Sequence, residues 1–499
     1  MAEEKNEVLL VVLVLVFTFI LVYSPHFNYP YPLHADEWRH LELGKKLFEG
    51  EYEFKYLRYY PLYHIIIIPL FVLEKYFGLD PIFSYTFLPG LFAVFASLML
   101  FLLVKKLTDN FWIALFSMLF FASLPSNVNL MGQWFATPFA LSLSLVFIFF
   151  IFLRRLDEKE LNKKNLFCLL LILILTIFIH PSSGIIFFPV LLIWGVLNFN
   201  STKSKPYFLL VLVPFFIYSF IFFADMTHLP FGEIVNHFIN SISFNYDSKI
   251  LQPSLTENPI NFKLFGVSFV TSQYFLPWLY GFMPFLLALY GLYYAIYDKK
   301  WKYFVIWFFI VLLLLFFYNI TGLSFFVRRA HMIYLALISL VPLSAVGFYN
   351  LMIYIKCKLE NKSLRLSKII LAALVLGIFI LTFYNYGEQR KGTELYYLID
   401  NEDYEAMIFL RTLEKGYTIA PLNKATAIYP ITGNKVFSDL LSSYKNDQEK
   451  VKKFFSEGCN YKEGIIEDYN LKYVYSESVI NCTFLREIYS NKRDIYEVV

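Results

Sequence analysis

Charge is scarce in this sequence: 16% of its 499 residues are Asp, Glu, Lys or Arg, against 58% hydrophobic. So little charge excludes a water-soluble globular surface. The apolar runs also lack the two-residue alternation of barrel strands. Only helices and closed barrels satisfy their backbone groups in hydrocarbon, so a polytopic helical bundle remains. The net charge of +4 is too diffuse for a nucleic-acid partner. No P-loop, HExxH or GxSxG occurs, and there is no internal repeat or low-complexity tract. The interiors of the apolar runs are almost free of carboxylates, whereas a coupled transporter places ionisable groups or broken helices at mid-depth. The N-terminal segment has neither the basic region nor the cleavage site of a signal peptide. It carries Glu3, Glu4, Lys5 and Glu7, so residues 8–23 read as a retained anchor. Cysteines number four. Cys168 and Cys357 lie in or beside apolar runs. Cys459 and Cys482 lie in the polar C-terminal region, where a disulfide and two free thiols are both open readings.

What the chain does have is a series of apolar segments, at 8–23, 83–104, 111–125, 134–153, 166–180, 184–199, 207–223, 276–297, 303–318, 332–350 and 369–386. Residues 62–73 are different. About twelve residues at ~1.5 Å each reach roughly 18 Å of a ~30 Å hydrocarbon core, and His64 and Pro69 interrupt them. The segment 61–77 is therefore expected to be in-plane or re-entrant. With that assignment five basic connections fall on one side: Lys105-Lys106, Arg154-Arg155 with Lys163-Lys164, Lys203 with Lys205, Lys299-Lys300 with Lys302, and Lys356 to Lys368; the first loop's Arg39, Lys45, Lys46, Lys55 and Arg58 fall on the other, offset by neighbouring acids. Cytosolic loops carry the Lys/Arg excess, which places the N-terminus in the cytosol. The first loop (24–60), the loop 224–275 and the C-terminal region are then extracytosolic, and about eleven spans are expected. Residues 387–499 are polar and mixed. Helix at 404–414, strands at 417–421, 435–439 and 472–475, and helix or turn at 425–431 predict a small α/β domain tethered outside a transmembrane domain of residues 1–386.

Chemistry concentrates in His34-Ala-Asp-Glu-Trp-Arg-His40. A helix is expected from Asp36, as N-cap, to Glu49, with Gly50 stopping it and its apolar stripe in lipid. One of Asp36 and Glu37 can deprotonate an acceptor hydroxyl, and either can hold a divalent cation such as Mg or Mn. The plainer reading is helix capping plus a first-turn acid favoured by the helix dipole. His34 and His40 flank the pair without a metal-ligand spacing. In Arg58-Tyr-Tyr-Pro-Leu-Tyr-His64, Arg58 can grip a lipid phosphate while Tyr60 and His64 offer substrate contacts. Interfacial anchoring is the plainer alternative. Arg328-Arg329-Ala-His331 sets two guanidiniums on the side where basic residues are depleted, suited to a membrane-anchored phosphate. His180 sits in a Pro/Gly turn, His180-Pro-Ser-Ser-Gly184, that does not itself require a histidine. Gln133-Trp134 and, in the 224–275 loop, Asp225, His228, Glu233 and His237 are compatible with substrate contacts.

This arrangement resembles the GT-C class of integral-membrane glycosyltransferases, which includes protein O-mannosyltransferases, aminoarabinose transferases and oligosaccharyltransferases. Asp36-Glu37 in the first external loop, the surface helix ending at Gly50, Tyr60 to Tyr63, the many spans and the external C-terminal domain carry the resemblance. The Trp-Trp-Asp-Tyr-Gly signature of oligosaccharyltransferases and the Lys-Pro-Pro of aminoarabinose transferases are absent. The resemblance implies a polyprenyl- or dolichyl-phosphate-linked sugar donor and inverting transfer on the outer face. Asp36 is then the base, and an external arginine such as Arg328 or Arg329 holds the phosphate. A lipid or polysaccharide flippase, or an assembly scaffold, is the alternative of a different class.

Overall fold

The computed structural model describes residues 2–52, 60–126, 130–158, 163–197, 260–264, 267–271, 276–321, 327, 329–360, 397–441 and 445–499, with isolated positions between 369 and 380. Helix α1 (Ala2–Tyr23) leads through a short 3-10 turn into α2 (Ala35–Glu49), α3 (Pro61–Phe77) and α4 (Pro81–Thr86). The apolar bundle continues with α5 (Leu88–Thr108), α6 (Phe111–Ala122), α7 (Pro138–Glu158), α8 (Lys163–Ile179), α9 (Pro181–Ile185) and α10 (Phe187–Leu197). A hairpin follows, β1 (Ile260–Leu264) with β2 (Val267–Thr271), and then α11 (Leu276–Tyr280), α12 (Phe282–Tyr297), α13 (Lys302–Thr321) and α14 (Arg329–Glu360).

Among the described residues five helical stretches are long and apolar enough to cross a membrane: Lys5–Phe27, Pro81–Thr108, Pro138–Leu156, Lys299–Tyr318 and Arg329–Lys358. The expected count of about eleven is not reached. Phe111–Ala122, Lys164–Ile179, Pro181–Val196 and Phe282–Tyr297 are apolar but shorter, and the segments 207–223 and 369–386 lie largely or wholly outside the described residues.

The bundle has a basic end and a polar, histidine-bearing end. Lys300 reaches Asp109 at 2.8 Å, and Leu107, Arg154 and Lys300 line one small cavity, so the tails of α5 and α7 and the start of α13 share the basic end. Helix α3 does not run between the two ends. Glu74 near its end pairs with Arg411 of the C-terminal domain, and Asp80 just beyond accepts from Tyr404 of the same domain.

The C-terminal domain comprises α15 (Asn401–Thr412), β3 (Tyr417–Ile419), α16 (Leu422–Thr432), β4 (Lys435–Val436), α17 (Lys445–Ser456), α18 (Cys459–Tyr469), β5 (Tyr473–Ser476), β6 (Leu485–Ser490) and β7 (Asp494–Val498). Its five-stranded sheet has the order β4-β3-β5-β7-β6, parallel across β4, β3 and β5 and antiparallel through β7 and β6. The α/β character matches expectation, but the last two strands were not anticipated. Residues 425–431 resolve as helix.

The domain is docked rather than tethered, a correction to the sequence reading. Tyr29 Oη donates to Ile399 O at 2.9 Å, Tyr31 Oη to Asn401 Oδ1 at 2.9 Å and Lys45 Nζ to Pro430 O at 3.0 Å. Burial lowers the Lys45 pKa to about 8, opposed by Glu49. One apolar cluster runs from Trp38, Leu41, Ile67 and Phe71 to Met407, Ile428 and Ile431. Docking therefore places the C-terminal domain on the same end of the bundle as the first loop. Cys459 and Cys482 form a disulfide closing a separation of 23 residues. Cys482→Ser is expected to cost this domain about 3 kcal/mol by the loop-entropy relation, read as a lower melting temperature under non-reducing conditions.

Candidate active site

The first loop reaches its conformation through an unusual cap. His34, not Asp36, is the N-cap of α2: its backbone is extended, and its Nδ1 accepts from Asp36 N at 3.1 Å. Gly50 ends the helix in the left-handed region at φ 80°, as the sequence indicates. The apolar stripe of α2 does not face lipid. Trp38 and Leu41 are fully buried, and α2 lies so close to α3 that a Cβ on Gly44 would stand 2.5 Å from Ile67 Cδ1.

The two neighbouring acids have opposite surroundings. Glu37 is wholly buried and accepts three backbone amides: Oε2 from Leu33 N at 2.8 Å and His34 N at 3.1 Å, Oε1 from Ala136 N at 2.7 Å. Burial pushes its pKa up to about 8 against those amides, which favour the anion. The Ala136 peptide works in both directions, since its carbonyl accepts from Tyr63 Oη and Tyr85 Oη, each at 2.5 Å. Glu37 therefore ties α2 to a hub that also holds α3 and α4. Both oxygens of its side chain are engaged in holding that hub. Asp36, by contrast, keeps 32% of its side chain exposed, with His34 Nδ1 at 3.9 Å. It is the acid of the pair whose oxygens are open to a substrate.

No group of three His, Cys, Asp or Glu side chains capable of holding a metal ion occurs among the described residues.

Four of the expected histidines come together with Tyr60. His40 follows Asp36 by one helical turn and therefore shares its face. His40 Nδ1 lies 3.1 Å from His64 Nε2, and His64 Nδ1 lies 3.1 Å from Tyr52 Oη. Burial, and secondarily the Arg39 charge, lower the His64 pKa to about 3, so this imidazole is neutral. The His40 ring contacts Tyr60 and Tyr63 at centroid distances of 5.7 and 5.1 Å. Tyr60 stacks at 5.6 Å on His180, which meets His331 at 4.7 Å edge to face. Phe139 stacks on His331 at 4.4 Å. Tyr60 holds a left-handed backbone at φ 61°, ψ 54°, costly for a residue with a Cβ, as the amino-terminal cap of α3. His180 caps the five-residue α9, and its Nδ1 lies 2.8 Å from Ser183 Oγ, itself 2.8 Å from Ser142 Oγ.

Arg329 opens α14 two residues before His331 and lies 5.6 Å from the Tyr318 ring centroid. Arg58, Arg328, Asp225, His228, Glu233 and His237 lie outside the described residues. The sequence reading missed Tyr52, Ala136, Tyr85 and Ser183. Ala136 acts through its peptide group, for which the sequence carries no signal, while Tyr52 lay unremarked in a tyrosine-rich loop. Gln133 is held rather than presented: its N donates to Tyr334 Oη at 3.2 Å and its Nε2 to Phe121 O at 2.7 Å.

No family model and no curated protein matches the chain. Solved structures do. The archaeal oligosaccharyltransferase AglB from Archaeoglobus fulgidus, in complex with an inhibitory peptide and a dolichol-phosphate, is 14% identical, with a TM-score of 0.61 over 95% of this chain and 70% of that one. ArnT from Cupriavidus metallidurans, bound to undecaprenyl phosphate, is 11% identical, with a TM-score of 0.54 over 97% of each chain. These are likenesses of fold, and they run through both the bundle and the C-terminal domain. The chain has the fold of the GT-C integral-membrane glycosyltransferases.

Proposed function

We propose that this protein is a membrane glycosyltransferase that moves a sugar from a polyprenyl- or dolichyl-phosphate donor to an acceptor, with Asp36 as the base. The observation that carries the reading is the contrast at the head of α2. Glu37 is consumed by three amides, while Asp36 stays open one helical turn before His40, whose ring meets Tyr60 of the Tyr60–His180–His331 array. The fold shared with AglB and ArnT, whose structures hold dolichol-phosphate and undecaprenyl phosphate, supports the donor class.

In the reaction, the acceptor oxygen attacks the anomeric carbon as Asp36 takes its proton. The bond from that carbon to the phosphate oxygen breaks with inversion, and the lipid phosphate leaves with the electron pair. A guanidinium from Arg329, with Arg328 and Arg58 as the other candidates, offsets the charge growing on that phosphate. His34, His40, Tyr60, His64, His180 and His331 form the polar and aromatic wall that positions sugar and acceptor. This face is read as extracytosolic. The Lys/Arg-rich ends lie at the opposite side of the bundle, and the Cys459–Cys482 disulfide belongs to an oxidising compartment.

The test is incubation of purified protein with radiolabelled polyprenyl- and dolichyl-phosphate sugars, following label release or transfer. Turnover is expected from wild type, and Arg329→Ala is expected to raise the donor KM about tenfold, the loss of one charge-assisted phosphate contact. Absence of turnover with every donor, together with movement of a lipid-linked glycan across vesicles, would replace the enzyme by a flippase.

A further inference from the structure

The transfer reaction releases one proton per turnover into a face walled by rings, and the base must lose it before acting again. Behind that face runs a chain of three side chains: His40 and His64, which belong to its wall, and Tyr52, to which sugar binding gives no part. His64 is fully buried, and both of its ring nitrogens are engaged, Nε2 by His40 Nδ1 and Nδ1 by Tyr52 Oη, each at 3.1 Å. Its neutral ring carries one proton, so one nitrogen donates while the other accepts. The chain therefore has two arrangements with the same hydrogen bonds reversed. Tyr52, half-buried just beyond the Gly50 cap, marks the end away from Asp36.

We propose that His40, His64 and Tyr52 form a proton relay that carries the proton taken up by Asp36 out of the site. This rests on the glycosyltransferase reading. Asp36 gives its proton, across the one-turn gap and through water or a substrate hydroxyl, to His40 Nε2. His40 Nδ1–H passes to His64 Nε2, His64 Nδ1–H passes to Tyr52 Oη, and the original Tyr52 proton leaves to solvent. One proton enters, one leaves, and each ring ends neutral with its tautomer inverted; the chain resets when each imidazole turns over and the Tyr52 hydroxyl rotates, with no proton carried back to Asp36. Among the described residues, the titratable and charged groups that face the pair include Arg39 on α2, Tyr60 and Tyr63 at the head of α3, and Tyr52, with Asp36 one turn before His40. His64 and Tyr52 are positioning residues, acting through His40.

Tyr52→Phe removes one oxygen from a half-buried ring, so it is the variant least prone to misfold. The relay predicts a kcat about tenfold lower with donor and acceptor KM within twofold of wild type, the scale of losing one assisted proton transfer. It also predicts an altered pH–rate profile. A wild-type kcat and profile in Tyr52→Phe overturn it. A second readout is independent of turnover: nitrogen-15 NMR of histidine-labelled full-length protein in bilayers. Two interconverting tautomers of His40 and His64 are expected in wild type, collapsing to one in Tyr52→Phe. Identical fixed tautomers in both proteins overturn the relay. If wild type turns over no donor, the enzyme reading fails on that result, while the NMR still decides whether the proton chain exists.

Discussion

Gly347→Leu is expected to abolish accumulation of folded protein, and Gly347→Ala to destabilise it severely. Helices α12 and α14 cross at Gly291 and Gly347. A Cβ on Gly347 would stand 1.9 Å from Leu287 O, and one on Gly291 1.8 Å from Leu343 O. Both obstacles are helix backbone, which cannot swing aside as the end of a side chain can. Even one methyl must therefore push the helices apart. That separation strains a polar seam in which Tyr280 Oη and Ser344 Oγ lie 2.8 Å apart and Ser344 Oγ donates to Pro284 O at 2.9 Å. Overpacking costs about 1–3 kcal/mol and each strained hydrogen bond about 1 kcal/mol, so about 3–5 kcal/mol is expected for alanine. The control is Gly464 in α18, where an added Cβ meets nothing within 4 Å. Alanine there is expected to leave stability equal or slightly higher. Thermal unfolding followed by size-exclusion chromatography measures both; a wild-type melting temperature in Gly347→Ala contradicts the close crossing.

The second large effect is at Glu37. Glu37→Ala strips acceptors from the amides of Leu33, His34 and Ala136, and Leu33 and Ala136 are fully buried. Each unsatisfied buried amide costs about 1–3 kcal/mol, so the two fully buried ones together give about 2–6 kcal/mol, enough to release α2 from the Ala136 hub. Glu37→Gln keeps the shape but turns a donor toward at least one of those amides, and is expected to be destabilising as well. Because Asp36 makes no such contacts, Asp36→Ala is expected to melt within 1 °C or so of wild type, since an exposed surface change stays within about 0.5 kcal/mol. Neighbouring acids thus separate into one whose loss unfolds the loop and one whose loss silences it. Similar melting temperatures for Glu37→Ala and Asp36→Ala contradict that division.

The helical membrane class, the stop at Gly50 and the mixed C-terminal domain were legible because composition, a left-handed cap and a change of periodicity are local signals. The roles of Asp36 and Glu37 were not. What separates them is the Ala136 amide, 99 residues away, and no local pattern carries a backbone hydrogen bond. The same holds for the cap: an imidazole in extended backbone took the place that an aspartate ordinarily fills, and that left the Asp36 carboxylate open. Docking of the C-terminal domain was hidden for a related reason. The apolar faces of α15 and α16 read equally well as the private core of a separate domain, and only the folded chain shows them continuing into Trp38 and Ile67. Strands β6 and β7 carry charged residues within their runs, Arg486 and Glu487 in one and Asp494 and Glu497 in the other, which weakened their alternation in the sequence. The histidines were picked out one by one as rare groups in an apolar chain, yet their order in space, Tyr52 to His64 to His40 and Tyr60 to His180 to His331, came from the packing of four separate segments.

The most direct measurement is sugar transfer from a radiolabelled lipid-phosphate donor by Asp36→Asn beside wild type, with thermal unfolding of both. Asparagine preserves the size of the side chain and cannot take the acceptor proton. A base of this kind contributes roughly 10²–10⁴-fold, so a loss of at least a hundredfold in kcat with an unchanged melting temperature is the expected result. Wild-type turnover by Asp36→Asn would contradict the assignment of Asp36 as the base.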